Sequence, residues 1–507
     1  MNAVRDNTAF RRLVAALNRM LAHPDLALKG TIRSAVDWLS MRKSRLLGGL
    51  GLAGLLVLAG AFVWAAEPEI DVAEPVDPSS LDPDLVEEGA RLAAVGNCIA
   101  CHTVPGGEAF AGGLPLPTPF GTIHSTNITP DPETGIGRWS EAAFRRSLHE
   151  GVARNGSHLY PAFPYTHYTL TSDEDVAALY AYLMSRTPVE KTAPENDLVF
   201  PLGFRPLLAG WKLLYFDDGR FEPVAAESDD WNRGAYLAEG LGHCSGCHTP
   251  RNALGATIDD EHWAGGEAEG WTAYAINESN PAPVPWDTDA LAFYLRHGWH
   301  PAHGVSRGPM AEVTGNLGRL PDSDIHAIAV YTDAVMGEPD AARQTAADDL
   351  LAAVENGRGS GQSADTMAAI PAAEGDRGAA LYAGACASCH SAGRPQPYGG
   401  LDFRLSTAVH SDNPQNIINV TLYGLPPADG AASPIMPAFH GVLSDDDMVA
   451  LMSYMRETFT DEPAWEGLEE RVADTRSGAH HVSVRPADMI ERAPGNLGAE
   501  EQPWRQD

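Results

Sequence analysis

Apolar and polar residues alternate in the same order three times along the chain. Leu85 to Val95, Arg233 to Leu241 and Asp376 to Ala383 each carry apolar side chains at helical spacing and run into a pair of cysteines. A glycine (Gly89, Gly234, Gly378) stands eight to ten residues before the first cysteine of each copy, where a small residue lets two helices cross closely. Each copy also closes alike. Ser172-Asp-Glu-Asp175 leads into VAALYAYLM, Asp322-Ser-Asp324 into IHAIAVYTDAV, and Ser444-Asp-Asp-Asp447 into MVALMSYMRE: acidic N-caps opening amphipathic helices. Tyr182, Tyr331 and Tyr454 fall at matching places in these helices, and packing alone is expected of them.

The stretches between these elements divide the rest. Leu46 to Ala66 is 21 residues without a charge, long enough to span a bilayer as a helix. Arg42, Lys43 and Arg45 precede it and Glu67, Glu69 and Asp71 follow, so the positive-inside rule leaves the N-terminus in the cytoplasm and all later residues in the periplasm. A cleaved leader starting at Met41, with Val63-Trp-Ala65 as its cleavage site, is the rival reading. The expected order is a basic cytoplasmic segment at 1–45, an anchor in the inner membrane at 46–66 and a solvated tether at 67–84. Units at 85–190, 228–338 and 375–460 follow. A Pro-rich linker containing Trp211 fills 191–227, and residues 339–374, which lack Trp, Phe and Tyr, read as a mobile linker with a short helix at Asp348 to Glu355. The polar, Pro-broken tail at 461–507 is expected to be disordered.

At 507 residues the chain is too long for one core. Its formal charge of −33 is uneven: residues 1–45 hold nine Lys or Arg against three Asp, a sum of +6 that leaves −39 for the remainder. That balance argues against nucleic acid as a partner, because phosphate binding needs a basic face. It suits a solvated surface, or a docking face for a basic electron acceptor.

The chemistry sits in the cysteines. Cys98-Ile-Ala-Cys101-His102, Cys244-Ser-Gly-Cys247-His248 and Cys386-Ala-Ser-Cys389-His390 use all six cysteines of the chain. Two thiols three residues apart, followed at once by an imidazole, suit c-type haem attachment: the thiols add to the vinyl groups and the histidine binds iron. Zinc knuckles would need paired motifs close together, and a thioredoxin-like site would need one pair in a βαβ setting. Three covalent haem c groups are therefore expected, with His102, His248 and His390 as proximal iron ligands.

The opposite iron faces are read from the loops before the closing helices. Met310 in Gly308-Pro-Met310 lies 62 residues after His248, and Met436 in Pro434-Ile-Met436-Pro lies 46 after His390; both are candidate sixth ligands. The first unit differs. Its loop reads His158-Leu-Tyr-Pro-Ala-Phe163-Pro-Tyr-Thr-His167, with Phe163 where methionine is expected, so His167 is the favoured ligand, ahead of His124, His158 or an open face. Met184, inside a helix, is expected in the core.

An N-terminal helix, CxxCH, a loop and a closing aromatic-bearing helix resemble a class I cytochrome c domain. The expected fold is therefore mainly α, three such domains in tandem after the N-terminal transmembrane helix. Longer strings, TPFGTIHSTNITPDPETGIGRWS (118–140), HLYPAFPYTHYTLTSDEDVAALYAYL (158–183) and GHCSGCHTPRNALGA (242–256), resemble the tri-haem cytochrome c subunits of membrane-bound bacterial dehydrogenases over residues 83–460. One branch serves quinoprotein alcohol or flavin-dependent sugar dehydrogenases and usually reads PAMPY. The PAFPYTH here looks like the branch that serves molybdopterin hydroxylases of the nicotinate, isoquinoline or aldehyde dehydrogenase type. The resemblance implies a partner dehydrogenase catalytic subunit with molybdopterin and iron–sulfur centres, and a downstream quinone, cytochrome or oxidase. It implies electron transfer rather than catalysis by this chain alone, and it suggests Arg251 as a partner for a haem propionate. No nucleotide fingerprint or Ser/His/Asp set stands out in the sequence. The other class of reading is a peroxidase-like haem enzyme with an open first iron.

Overall fold

The computed structural model describes residues 66–359, 376–426 apart from 392 and 395, 433–480, and 482. Residues 1–45 and all but the last residue of the apolar stretch lie outside the described residues. Among the described residues no helix is long and apolar enough to cross a membrane.

The helices follow the expected order. The first unit contains α1 (Pro83–Val95), α2 (Glu141–Glu150) and α3 (Asp173–Met184), and the linker after it holds α4 (Leu207–Tyr215). The second contains α5 (Asp229–Ala235), α6 (Thr288–His297), α7 (Pro309–Leu317) and α8 (Asp322–Met336). Then come α9 (Ala341–Gly359), α10 (Arg377–Leu381), α11 (Gln415–Tyr423), α12 (Asp445–Phe459) and α13 (Leu468–Ser477). Strands are few and short. The largest sheet joins β1 (Pro115–Thr118), β2 (Gly121–His124) and β3 (Asp197–Leu198) antiparallel, with Leu116 opposite Ile123 and Thr122 opposite Asp197.

Three helix crossings organise the molecule. A Cβ on Gly89 of α1 would stand 1.9 Å from the Ala178 carbonyl of α3. The same atom on Gly234 of α5 would stand 1.9 Å from the Ala327 carbonyl of α8, and on Gly378 of α10 it would stand 2.2 Å from the Ala450 carbonyl of α12. Backbone meets backbone at each crossing, and only glycine fits. The Cβ of Tyr182, Tyr331 or Tyr454 lies beside the respective glycine.

Caps account for where the closing helices begin. Ser172 accepts from the Asp175 amide at 3.0 Å, and Ser444 and Asp447 form a reciprocal capping box. The second closing helix departs from expectation: Pro321 occupies its N-cap and no side chain caps it. Its acidic residues are drawn elsewhere, Asp322 to Arg296 and Asp324 to Arg233, the latter at 2.9 Å.

Two further expectations are corrected. The helix expected at Asp348 to Glu355 is longer, and residues 341–359 of the expected mobile linker form α9, because Ala347, Leu350 and Val354 make a stripe that covers Val284 and Leu405. The tail beyond 460 is ordered as far as His480, since α13 buries Leu468 and Val472 against the third unit and Arg476 binds Asp445 and the Leu443 carbonyl.

The cores do not divide into three equal parts. One apolar cluster runs from Leu92, Leu148 and Leu183 through Leu237, Leu241, Leu317 and Ile328, so the first two units share it. The third unit has its own, around Tyr382, Ile418, Met448 and Met452. It docks on the second through Asn416, which accepts from the Thr272 amide at 2.9 Å and donates to the Thr272 carbonyl at 2.8 Å, and through Asn419, which donates to the Gly270 carbonyl.

Candidate haem sites

Each CxxCH segment is a single helical turn placed by the opening helix before it. Cys98–His102, Ser245–His248 and Ala387–His390 are the three turns. Asn97 and His243, each the residue before a first cysteine, take left-handed backbone with φ of 48° and 38°, which turns the chain from the opening helix into the motif.

The three histidines share one arrangement. His102 donates from Nδ1 to the Thr126 carbonyl at 2.6 Å, His248 to the Tyr274 carbonyl at 2.6 Å and His390 to the Leu401 carbonyl at 2.7 Å. A proton fixed on Nδ1 leaves Nε2 as the lone-pair nitrogen, the form that binds a metal. Burial lowers the pKa of all three, which keeps the rings neutral, as a ligand must be. All six thiols are free of disulfides, so each pair is available for thioether bonds. Gly400 lies flat on the His390 ring; a Cβ there would stand 2.7 Å from Nδ1. These residues fit a haem c at each turn.

The segments that carry Met310 and Met436 are fixed by local contacts. Gly308 has φ of 58°, and a Cβ on it would strike the Trp271 ring at 2.5 Å, so the Met310 loop is pressed against the strand that leads to Tyr274. Met310 opens α7 and packs on the large apolar cluster. Met436 is clamped by Leu425 through two bonds, its amide to the Leu425 carbonyl at 2.9 Å and its carbonyl from the Leu425 amide at 2.8 Å.

The first unit is built differently. Phe163 packs edge-on against Tyr168 at 5.2 Å, and Tyr168 is buried beside Cys98 and Cys101, its hydroxyl pKa raised by burial and by those thiols. His167 turns the other way. Its Nδ1 donates to the Glu239 carbonyl at 3.1 Å, and its Nε2 lies 3.4 Å from where a Cβ on Gly246 would stand, against the second motif. His158 accepts from the buried Lys212 ammonium at 3.1 Å, and His124 ends β2. Met184 is buried in the core. Arg251 donates to the Gly246 and Gly255 carbonyls, at 2.6 and 2.8 Å, and clasps the loop of the second motif.

One functional residue has no signature in the sequence. Glu239, on the helical segment running into the second motif, accepts from Tyr331 at 2.6 Å, from His262 and Trp263 at 3.0 Å each, and from Ser245 at 3.1 Å. Burial alone would raise its pKa, but these donors outweigh burial and hold it below the usual carboxylate range. Tyr331 therefore does more than pack: its hydroxyl helps to hold the charge beside Cys244.

The chain is similar to known proteins over most of its length. Residues 86–187 match the family described as Cytochrome c, and residues 373–455 match that described as Cytochrome C oxidase, cbb3-type, subunit III. The gluconate 2-dehydrogenase cytochrome c subunit of Pantoea cypripedii is 39% identical over 393 residues, 73% of this chain and 85% of that protein. The fructose dehydrogenase cytochrome subunit of Gluconobacter japonicus is 34% identical over 456 residues, 88% of this chain and 92% of that one. The chain belongs to the family of dehydrogenase cytochrome c subunits. A nicotinate dehydrogenase subunit of Pseudomonas putida is 42% identical over 491 residues, 94% of this chain, but the chain spans only 40% of its length. Members of this family carry haem c on cytochrome c domains, and the CxxCH turns are where this chain would hold it.

Proposed function

We propose that the chain is a tri-haem electron relay that takes electrons from a partner dehydrogenase and passes them to a quinone, a small cytochrome or an oxidase of the respiratory chain. The observation that carries this is the threefold repetition of an Nδ1-to-carbonyl bond on the histidine of each CxxCH turn. Haem iron supplies one-electron redox chemistry at each site. The residues of the chain fix the rest. Cys98 and Cys101, Cys244 and Cys247, and Cys386 and Cys389 would tether the porphyrins, His102, His248 and His390 would bind iron, and Met310 and Met436 would supply the second ligand at the second and third sites. The test is pyridine haemochrome analysis of the purified full chain: three haems per polypeptide are expected, and one or two would end the reading.

The catalytic partner is read as a molybdopterin and iron–sulfur hydroxylase, on the 42% identity to the nicotinate dehydrogenase subunit and on PAFPYTH in place of PAMPY. Relatives from gluconate and fructose dehydrogenases, matched over most of their own length, support a quinoprotein or flavin partner instead. Purification of the native complex with subunit identification separates the two. The anchor at 46–66 and haem domains on the periplasmic side of the inner membrane belong to the same reading, supported by the charge reversal across that stretch.

A second reading concerns the first iron. His167 is engaged with Glu239 and Gly246 of the second unit, so binding the first iron would require its ring to turn away from both. If it does not, and neither His124 nor His158 takes its place, the first haem has an open face and can take a small ligand, as a peroxidase-like haem does. Electron paramagnetic resonance of the oxidised protein decides: three low-spin signals support the relay with a sixth ligand on the first iron, and a high-spin signal that cyanide converts supports the open face.

A further inference from the structure

The helix α4 is turned inside out. A surface helix normally faces its apolar stripe inward and its charges outward. Here the two cations of residues 199–214 point into the protein. Arg205 donates to the His158 carbonyl at 2.8 Å and lies over the Tyr160 ring. Lys212 is buried, donating to the Glu150 and Gly151 carbonyls at 2.6 and 2.8 Å. The outward face is Val199, Phe200, Phe204, Leu207 and Leu213, exposed by 57, 97, 54, 48 and 55%, with Gly203 and Gly210 between them open to space. It holds no charge. A contiguous apolar face of this kind marks a contact surface.

Its position in the molecule identifies what covers it. The hairpin at 151–158 that receives Lys212 and Arg205 also receives the chain as it leaves the apolar stretch 46–66. Arg146, bound to the Ala153 carbonyl, also donates to the Pro68 carbonyl at 2.7 Å; Ile70 donates to the Arg154 carbonyl at 2.9 Å, and Gly156 lies against the Glu67 carbonyl. Only Glu67 separates Ala66 from the first pinned residue, so no slack exists between the end of that stretch and the first unit. We infer that α4 and the preceding Val199–Phe204 turn insert their apolar face into the outer leaflet of the bilayer, a second, monotopic membrane contact beside the anchor.

This inference rests on the anchor reading, and the test separates the two. The full chain is reconstituted in phosphatidylcholine vesicles carrying a photoactivatable diazirine on the acyl chain, irradiated, digested and mapped by mass spectrometry. Adducts within 199–213 as well as within 46–66 are expected, with none at Tyr398 or Val442, which are equally exposed on the third unit. A Leu207→Glu, Leu213→Glu double variant, checked for unchanged haem content and absorption spectrum, should lose the adducts at 199–213 by about tenfold and keep those at 46–66. Adducts at 46–66 without any at 199–213 overturn the inference and leave the anchor standing. Adducts at neither overturn both. If 199–213 instead cross-links to a co-purified subunit in the native complex and stays free of lipid, the face is a protein interface and the inference fails.

Discussion

Glu239 shows how much of the second site depends on one carboxylate. Its partners are spread from Ser245, six residues on, to Tyr331, ninety-two residues on, which is why no local pattern in the sequence announces it. Glu239→Gln keeps the shape but removes the charge and presents an NH2 to at least one donor, so stability should fall by about 1–3 kcal/mol, read as a lower Tm of the haem-loaded protein. The pH dependence follows from the sign of the shift. The folded pKa lies below the unfolded value near 4.5, so the contribution is complete above that value and disappears as pH falls through the lower folded one. Wild type should therefore lose stability in acid more steeply than Glu239→Gln, and denaturation midpoints measured from pH 6 down to pH 3 check it. Met436 tests the opposite kind of residue, one that the sequence did expose through its Pro-bounded loop. Its backbone is clamped by Leu425, so Met436→His should change the ligand while leaving the loop in place. Replacing thioether with imidazole should lower the midpoint potential of one haem and leave the others, a change that a spectroelectrochemical titration resolves.

At the scale of elements, the legible features were those that recur. Gly89, Gly234 and Gly378 stood out because three copies kept a glycine where helix propensity would prefer alanine, and the crossings give the reason. In an exposed helix, Gly234→Ala would stabilise by up to about 1 kcal/mol. Here the methyl meets the Ala327 carbonyl at 1.9 Å, and overpacking of about 1–3 kcal/mol or more should win, with thermal unfolding and haem retention as the readouts. Elements without a repeat were read from composition, and composition misled. The Ala- and Asp-rich stretch at 341–359 read as a mobile linker with only a short helix at Asp348 to Glu355 because it lacks aromatics, yet Ala347 and Val354, seven residues apart, suffice to seat a longer helix between Val284 and Leu405. The tail looked polar, yet Trp465 donates to the Ser411 carbonyl and Arg456, buried beneath its ring, donates to the carbonyls of Val409 and Pro463. In both cases long-range partners supplied what the local pattern lacked.

For the whole molecule, the sequence suggested three units in tandem, and the cores divide otherwise. The first two units share an apolar cluster and meet close to their motifs, where Tyr236 donates to Asp175 and Asn316 to Asn97, while the third is joined by α9 and by the amide contacts of Asn416 and Asn419. Every unit nevertheless sits within the same acidic field, since residues after 45 sum to −39. A field of that size acts on encounter rather than on fold. It should draw in a basic redox partner and repel an acidic one, and the attraction should weaken as the Debye length contracts from roughly 30 Å at 0.01 M salt to roughly 8 Å at 0.15 M. The second-order rate at which the reduced full chain passes electrons to a small basic cytochrome should therefore fall by about tenfold or more over that range, while the rate to an uncharged quinone analogue stays level. Stopped-flow mixing across a salt series measures both. A flat dependence for the basic acceptor would mean that the acidic residues serve solubility alone and that electrons leave by a neutral route.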